Sequence, residues 1–336
     1  MFPLRFAPYE ATVSVPNVVV DGSPNAATTL SLSHWPRRPA PEGLADDLSA
    51  QIAFRYLDRG ADLHGAAEVV TNNHFDQDGL VSAFALTNPD EALRRRALLE
   101  DIAAAGDFAT YRDRTAARAS TVLSAFSDPE RSPLAPLPAD YGATCALLYD
   151  EMLGRLPELI DNIDGYRDLW AEEDSHLTVS ERALASGAAT ISEDAELDLA
   201  VVTINEELGP LGGHRFGGRS FQGFHPMALH NATDRVALLL LHNTTYRFTY
   251  RYEGWVQFCS RRVRPRVDLE PLAVALTQRE SNGAVWASTP PGDLTPELFV
   301  VGIGESSLVA DEIVEAVRAH LRTAPAAWNP WQAITP

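Results

Sequence analysis

The stretch Glu68–Leu86, EVVTNNHFDQDGLVSAFAL, restricts the fold more than any other part of the chain. Val69-Val70 reads as the end of a buried strand. His74, Asp76 and Asp78 fall on the turn behind it, and Gly79 closes that turn. Leu80, Val81, Ala83, Phe84 and Leu86 then supply apolar positions that can cover one side of a helix. Strand, acidic turn and helix in this order hold ligands at the carboxyl edge of a parallel sheet. The two carboxylates and the imidazole offer hard oxygen and borderline nitrogen donors to a divalent cation. Gly79 lets the backbone turn sharply where a side chain would clash. A calcium loop is excluded, because Thr87 stands where its closing glutamate belongs.

His74-Phe75-Asp76-Gln77-Asp78-Gly79, continued by Leu80-Val81-Ser82-Ala83, resembles the first metal motif of the DHH phosphoesterase superfamily. Its members carry a strand, a D-x-D-G or H-x-D-x-D-G turn, and a helix of small and apolar residues. The resemblance implies a two-metal site that hydrolyses phosphoesters or phosphoanhydrides, with His74, Asp76 and Asp78 as metal ligands and catalytic residues. The implied cofactor is a divalent metal, manganese first, with magnesium or zinc as alternatives. The superfamily's namesake Asp-His-His triplet is absent, since no two histidines are adjacent. Ser33–Pro36 (SHWP) followed by Asn72–Gly79 (NNHFDQDG) is also similar to an uncharacterised bacterial family.

Ahead of that motif, Asn17–Asp21 (NVVVD) reads as a buried strand ending on an acid, and Thr28–His34 as a second strand stopped by Trp35-Pro36. Asp46–Leu57 reads as a helix with Asp46 or Asp47 at its cap. Strand, strand, helix, strand, helix favours α/β: an N-terminal parallel-sheet domain flanked by helices, residues 1–190. A smaller C-terminal α/β domain, residues 191–336, would bind substrate. His34 follows a strand and precedes a helix, as the superfamily's histidine motif does. It and Asp21 enter the metal cluster if the strand order is rearranged; otherwise His34 is a surface residue at a capped strand end. Pro89–Ala105 reads as a helix with Gly106 as its C-cap. Asp107 is then either the N-cap of the next helix, Tyr111–Phe126, or a further metal ligand. Glu172–Asp174 reads as solvated or capping, and His176 as a candidate ligand or, the preferred reading, a surface residue.

Gly209–His230 holds six glycines, two arginines and three histidines, which excludes an ordinary helix or strand. It is either a connector or a substrate loop in which His214, Arg215 and Arg219 meet an anion. Tyr246, Phe248, Tyr250 and Tyr252 alternate with arginine and give a strand with one aromatic face, for the core or for stacking a base. Arg261, Arg262, Arg264 and Arg266 form a basic run, either solvated or gripping phosphate. Asp268–Thr277 followed by Arg279, Ser281, Asn282 and Gly283 resembles the helix and substrate turn of the superfamily's C-terminal domain. That resemblance makes the four turn residues substrate-binding. The tail Ala324–Pro336 carries Trp328 and Trp331 and is expected to dock on the body.

The formal net charge of −19 argues against binding duplex nucleic acid or a membrane surface, but admits a small phosphorylated substrate or nucleotide held by local arginines. The 27 basic residues are all arginine, which excludes a Walker lysine and a Schiff-base lysine. Only Cys145 and Cys259 occur, so a disulfide framework and a zinc–cysteine site are not expected. MFPLRFAPYEATVSV does not read as a signal peptide and no apolar run is long enough to span a bilayer, so a cytoplasmic protein is expected. A homodimer stays open. Two other functions compete: a non-catalytic relative that binds a ligand or partner, and a non-haem iron oxygenase using His74, Asp76 and a distant His225 or His242.

Overall fold

The structure, a computed structural model, describes residues 3–36, 40–59, 63–209, 220–302 and 304–332. The chain divides into two compact units. The first runs through Ser175 and takes in Gln257–Ser260; the second holds the rest of the described chain. The division falls ahead of the expected one at residue 190.

In the first unit, β1 (Arg5–Phe6), β2 (Asn17–Val20), β3 (Thr28–Leu32) and β4 (Val69–Thr71) form a sheet in the order β1-β4-β2-β3. Every pairing is parallel. The strands are apolar runs because both faces of a parallel sheet are covered; all of Asn17–Val20 and of Val69–Thr71 is buried. The carboxyl ends of β2, β3 and β4 lie along one edge. They deliver Asp21, His34 and the His74 turn to it, with Asp21 on the middle strand of the three.

The flanking helices are α1 (Ser49–Arg59), α2 (Gln77–Thr87), α3 (Pro89–Asp107), α4 (Arg114–Ser127), α5 (Tyr141–Asp161) and α6 (Arg167–Ser186), the last continuing into the second unit. Helix α2 was expected to bury one side, but every residue from Gln77 to Leu86 is buried. It packs against α1, α3 and α5, and a helix apolar all round belongs at a centre. Helix α3 does not stop at Gly106; Asp107 is its last residue, and the N-cap of α4 is Asp113, which accepts from Thr115 N. The acidic triplet Glu172–Asp174 lies inside α6. There Asp174 pairs with Arg114 and Arg118, at 2.7 and 2.9 Å.

The second unit carries a mixed sheet built from β5 (Ala189–Asp194), β6 (Leu199–Ile204), β7 (Ala237–His242), β8 (Thr245–Tyr250), β10 (Trp286–Ser288) and β11 (Glu297–Val300). Its order is β10-β11-β8-β7-β6-β5, with only β6–β7 parallel. Helices α7 (Pro226–Asn231), α8 (Glu270–Arg279) and α9 (Ala310–Thr323) and the ribbon β9 (Arg266–Val267) with β12 (Ala326–Trp328) complete it. The chain is therefore α/β, with a helix-flanked parallel sheet followed by a mixed one.

The aromatic face of β8 is core: Tyr246, Phe248 and Tyr250 are buried with α8 and α9 residues. The arginine run is not a solvated edge throughout. Arg266 is fully buried and donates to the carbonyls of Arg251, Pro291, Asp293 and Leu294. Arg264 donates to those of Glu196 and Leu321. Guanidinium donors used on backbone carbonyls are spent on the fold. The tail docks as β12, and Trp328 stacks on Trp255. Among the described residues no helix is long and apolar enough to cross a membrane.

Candidate metal centre

Asp21 ends β2 with a φ of 44°, a left-handed conformation that aspartate tolerates better than most residues. The next residue, Gly22, has no room for a side chain, because a Cβ there would come within 2.2 Å of Asn73 Oδ1. On the neighbouring turn Asp76 caps α2, its Oδ1 accepting from Gly79 N at 2.8 Å. A Cβ on Gly79 would meet Asn72 Nδ2 at 2.3 Å and Tyr149 Oη at 2.6 Å, so a close approach requires this glycine. A Cβ on Gly106 would stand 2.6 Å from the Gln77 Cβ; the glycine lets α3 bring Asp107 alongside α2.

These elements gather six side chains into two donor groups, Asp21–His34–Asp78–Asp107 and Asp21–His74–Asp76. Within each group the ligand atoms lie within 4.8 Å of one another, and Asp21 belongs to both. His34 Nε2 is 3.4 Å from Asp21 Oδ1, 3.4 Å from Asp107 Oδ2 and 3.8 Å from Asp78 Oδ2. His74 Nε2 is 3.4 Å from Asp21 Oδ2 and 2.9 Å from Asp76 Oδ2. Two ligands each about 2.1 Å from one ion, at tetrahedral or octahedral angles, lie roughly 3–3.5 Å apart. Four of the five separations lie close to that range, and the 3.8 Å between His34 Nε2 and Asp78 Oδ2 exceeds it. The first group is enclosed, none of its four side chains being more than 7% exposed. The second opens to solvent through His74, 19% exposed, and Asp76, 32%.

The hydrogen bonding of His34 supports the same reading. His34 Nδ1 lies 2.6 Å from the Asp47 carbonyl, which can only accept, so Nδ1 carries the proton. Burial holds this imidazole below its ordinary pKa in spite of the Asp21 charge. The neutral ring thus turns the Nε2 lone pair toward three carboxylates, an arrangement that suits a shared cation. Burial pushes Asp78 and Asp107 well above the usual carboxylate range. The charges of Asp21 and Asp76 add to this at Asp78, and those of Asp78, Asp76 and Asp21 at Asp107. Burial, then Asp76, raises Asp21. Burial alone would raise Asp76, but the charge and hydrogen bond of His74 bring it lower. Burial would lower His74, but Asp76 and Asp21 together raise it to about 12. Among the described residues no arginine pairs with any of the four carboxylates. Asp21 Oδ2 is buried and accepts no hydrogen bond there.

Asp46 and Asp47 do not cap α1. Asp46 pairs with Arg55, and Asp47 Oδ1 accepts from Cys259 N and Ser260 N at 2.6 and 2.8 Å. The acid facing the first amides of α1 is Asp78, whose Oδ2 and Oδ1 accept from Ser49 N and Ala50 N at 2.8 and 2.7 Å. Each oxygen keeps a second lone pair for a metal. Ser49, which sequence reasoning passed over, touches most of the enclosed group. A serine beside two aspartates at a helix start was a signal of capping, but nothing local pointed to an acceptor some thirty residues on.

His34 is not on the surface, being fully buried with Phe108 near its ring. His176 is also buried, its Nε2 donating to the Gly223 carbonyl at 2.8 Å. His225 caps α7, accepting from Met227 N, and His242 Nδ1 donates to the Ile204 carbonyl. The third donor beside His74 and Asp76 is thus the carboxylate Asp21, which departs from the two-histidine oxygenase set. Arg279, Ser281, Asn282 and Gly283 form one turn in the second unit. Arg279 pairs with Glu312, Ser281 N donates to Ser307 Oγ, Asn282 Oδ1 accepts from Ala284 N, and Gly283 takes a φ of 81°. His214, Arg215 and Arg219 lie outside the described residues.

Fold and site together define an α/β protein whose sheet edge carries buried carboxylate–imidazole groups able to hold metal ions. The chain belongs to DUF6687, a family of unknown function whose profile matches residues 3–332. Comparison with curated proteins and with solved structures found no match.

Proposed function

We propose that this protein is a divalent-metal-dependent hydrolase acting on a phosphoester or phosphoanhydride of a small phosphorylated compound or nucleotide. Manganese is the expected metal, with magnesium and zinc as alternatives. The observation that carries the reading is the division of Asp21: Oδ1 faces His34 and Oδ2 faces His74, each at 3.4 Å. One carboxylate shared between two donor groups is what a pair of ions about 3.5–4 Å apart requires. The absence of a DHH triplet does not remove donors, because His34, on the far side of Asp21 from the His74 turn, supplies the second imidazole.

Asp21, His34, Asp78 and Asp107 would hold one ion, and Asp21, His74 and Asp76 the other. Two such ions neutralise charge on a phosphoryl group and make water more acidic. The chain's own part is to orient and to shield. The Asp47 carbonyl fixes the His34 tautomer, and the backbone amides of α1 fix Asp78. Phe108 and Phe258, with ring centroids 5.5 Å apart, cover the His34 side. The open side, at His74 and Asp76, is where an anionic reactant would enter.

The test is metal analysis and manganese calorimetry of the purified protein, with hydrolysis of bis(p-nitrophenyl) phosphate, p-nitrophenyl phosphate and pyrophosphate. Wild type should bind two manganese ions and hydrolyse at least one of the three, with loss on chelation. The absent triplet favours a second reading, a metal-binding relative without catalysis. Two bound ions and no turnover would select it, and no metal uptake would defeat both.

A further inference from the structure

We propose that Ser49 is the positioning residue of the enclosed metal position; this rests on the two-metal reading above. Ser49 has no solvent exposure and makes three contacts to three different ligands. Its Oγ–H donates to Asp21 Oδ1 at 2.8 Å, its Oγ accepts from His34 N at 3.2 Å, and its own N–H donates to Asp78 Oδ2 at 2.8 Å. One residue at the head of α1 therefore ties together the ends of β2 and β3 and the start of α2.

The geometry gives Ser49 a directional role. A carboxylate on a free end rotates about its Cβ–Cγ bond and presents either oxygen to either ion. The Ser49 hydroxyl engages one Asp21 oxygen and leaves Oδ2, buried and without a hydrogen bond among the described residues, pointing at His74. Asp21 is thereby set as a bridge before any ion arrives. The contact also occupies the Asp21 oxygen nearest His34, so the enclosed position depends on it more than the open one does. Outer-shell partners of this kind typically govern metal affinity by about 10–100-fold.

The experiment separates the two positions by background. Asp76→Asn removes an open-side ligand while keeping a good helix cap, and Asp107→Asn removes an enclosed-side ligand. Ser49→Ala is added to each, with Ser49→Thr as the variant that keeps the hydroxyl. Manganese binding is read by calorimetry, and folding by circular dichroism and thermal melting. In the Asp76→Asn background Ser49→Ala should weaken binding by about 10–100-fold and Ser49→Thr should restore most of it. In the Asp107→Asn background the loss should stay within about threefold, well under that outer-shell effect. An enclosed-side affinity unchanged by Ser49→Ala, with only the melting temperature lowered, would leave Ser49 a structural residue; equal weakening at both positions would also overturn the proposal. Should the alanine variant fail to fold, hydrogen exchange on wild type decides. Manganese should slow exchange of the Ser49 and Ala50 amides, and identical rates with metal and with chelator would refute the link. A wild type that takes up no manganese sinks the two-metal reading, and this inference with it.

Discussion

At Asp21 backbone and side chain make separate demands on one residue. A φ of 44° favours glycine, asparagine or aspartate, and the two donor groups need a carboxylate with both oxygens available. Asp78 also does two things, since it faces the enclosed position and accepts the first amides of α1. Asp107 has no such second duty; among the described residues its polar contact is with His34. The two aspartates should therefore fail differently. Asp78→Ala should abolish enclosed-side binding and also lower the melting temperature of chelator-treated protein, because two buried amides lose their acceptor at about 1–3 kcal/mol each. Asp107→Asn should abolish the same binding while raising that melting temperature, since it removes a like charge. One pKa unit of relief is worth ~1.4 kcal/mol. Thermal melts of both variants in chelator check this, and a destabilised Asp107→Asn would mean that the carboxylates do not repel one another as their placement implies.

At the scale of elements, α2 is the centre against which the ligands are placed, and glycines set how closely its neighbours come. Gly106→Ala would place a methyl 2.6 Å from the Gln77 Cβ, with Asp107 the next residue along. It should cost about 1–3 kcal/mol by overpacking and weaken enclosed-side binding at the same time. Gly154→Ala is the control: it lies on the exposed side of α5 with nothing within 4 Å, and should stabilise by about 0.5–1 kcal/mol. Equal melting temperatures for the two variants would show that Gly106 is not a spacer. The same glycine shows where the sequence stops being readable. The strand–turn–helix at Val69–Leu86 and the acid ending NVVVD are local patterns, so the parallel sheet and the donors at its edge were legible. Gly106 before an aspartate has the local look of a helix end, and only the approach of Gln77, distant in sequence, explains why α3 continues past it. Ser49 was hidden for the same reason, as were the carbonyls that take up Arg264 and Arg266. Local patterns do not record partners brought together by packing.

For the molecule as a whole, the consequence of pooling carboxylates is a stability that depends on protons and metal in opposite senses. His74 rises from its ordinary 6.5 to about 12, so the folded chain holds a proton there that the unfolded chain has released. Its stabilisation is complete below pH 6.5 and is lost as pH climbs toward 12. Asp78 and Asp107, also raised, act in the same direction up to their own shifted values. His34 is lowered, so its contribution is present above its ordinary pKa and is lost only as pH falls below it. Above neutrality the raised groups therefore act alone. Through His74, chelator-treated protein should lose stability between pH 7 and 9, by up to ~1.4 kcal/mol per pH unit. Metal ligands must shed protons to bind, so manganese should bind more tightly over the same range. At a free concentration of 100 times the dissociation constant it should add about 2.7 kcal/mol, or roughly 4 °C in melting temperature. The gap between manganese-loaded and chelated melting curves should thus widen steadily with pH. A gap that narrows would mean that the protons on His74 and its neighbours are not the ones a cation displaces, and the shared-carboxylate centre would lose its electrostatic basis.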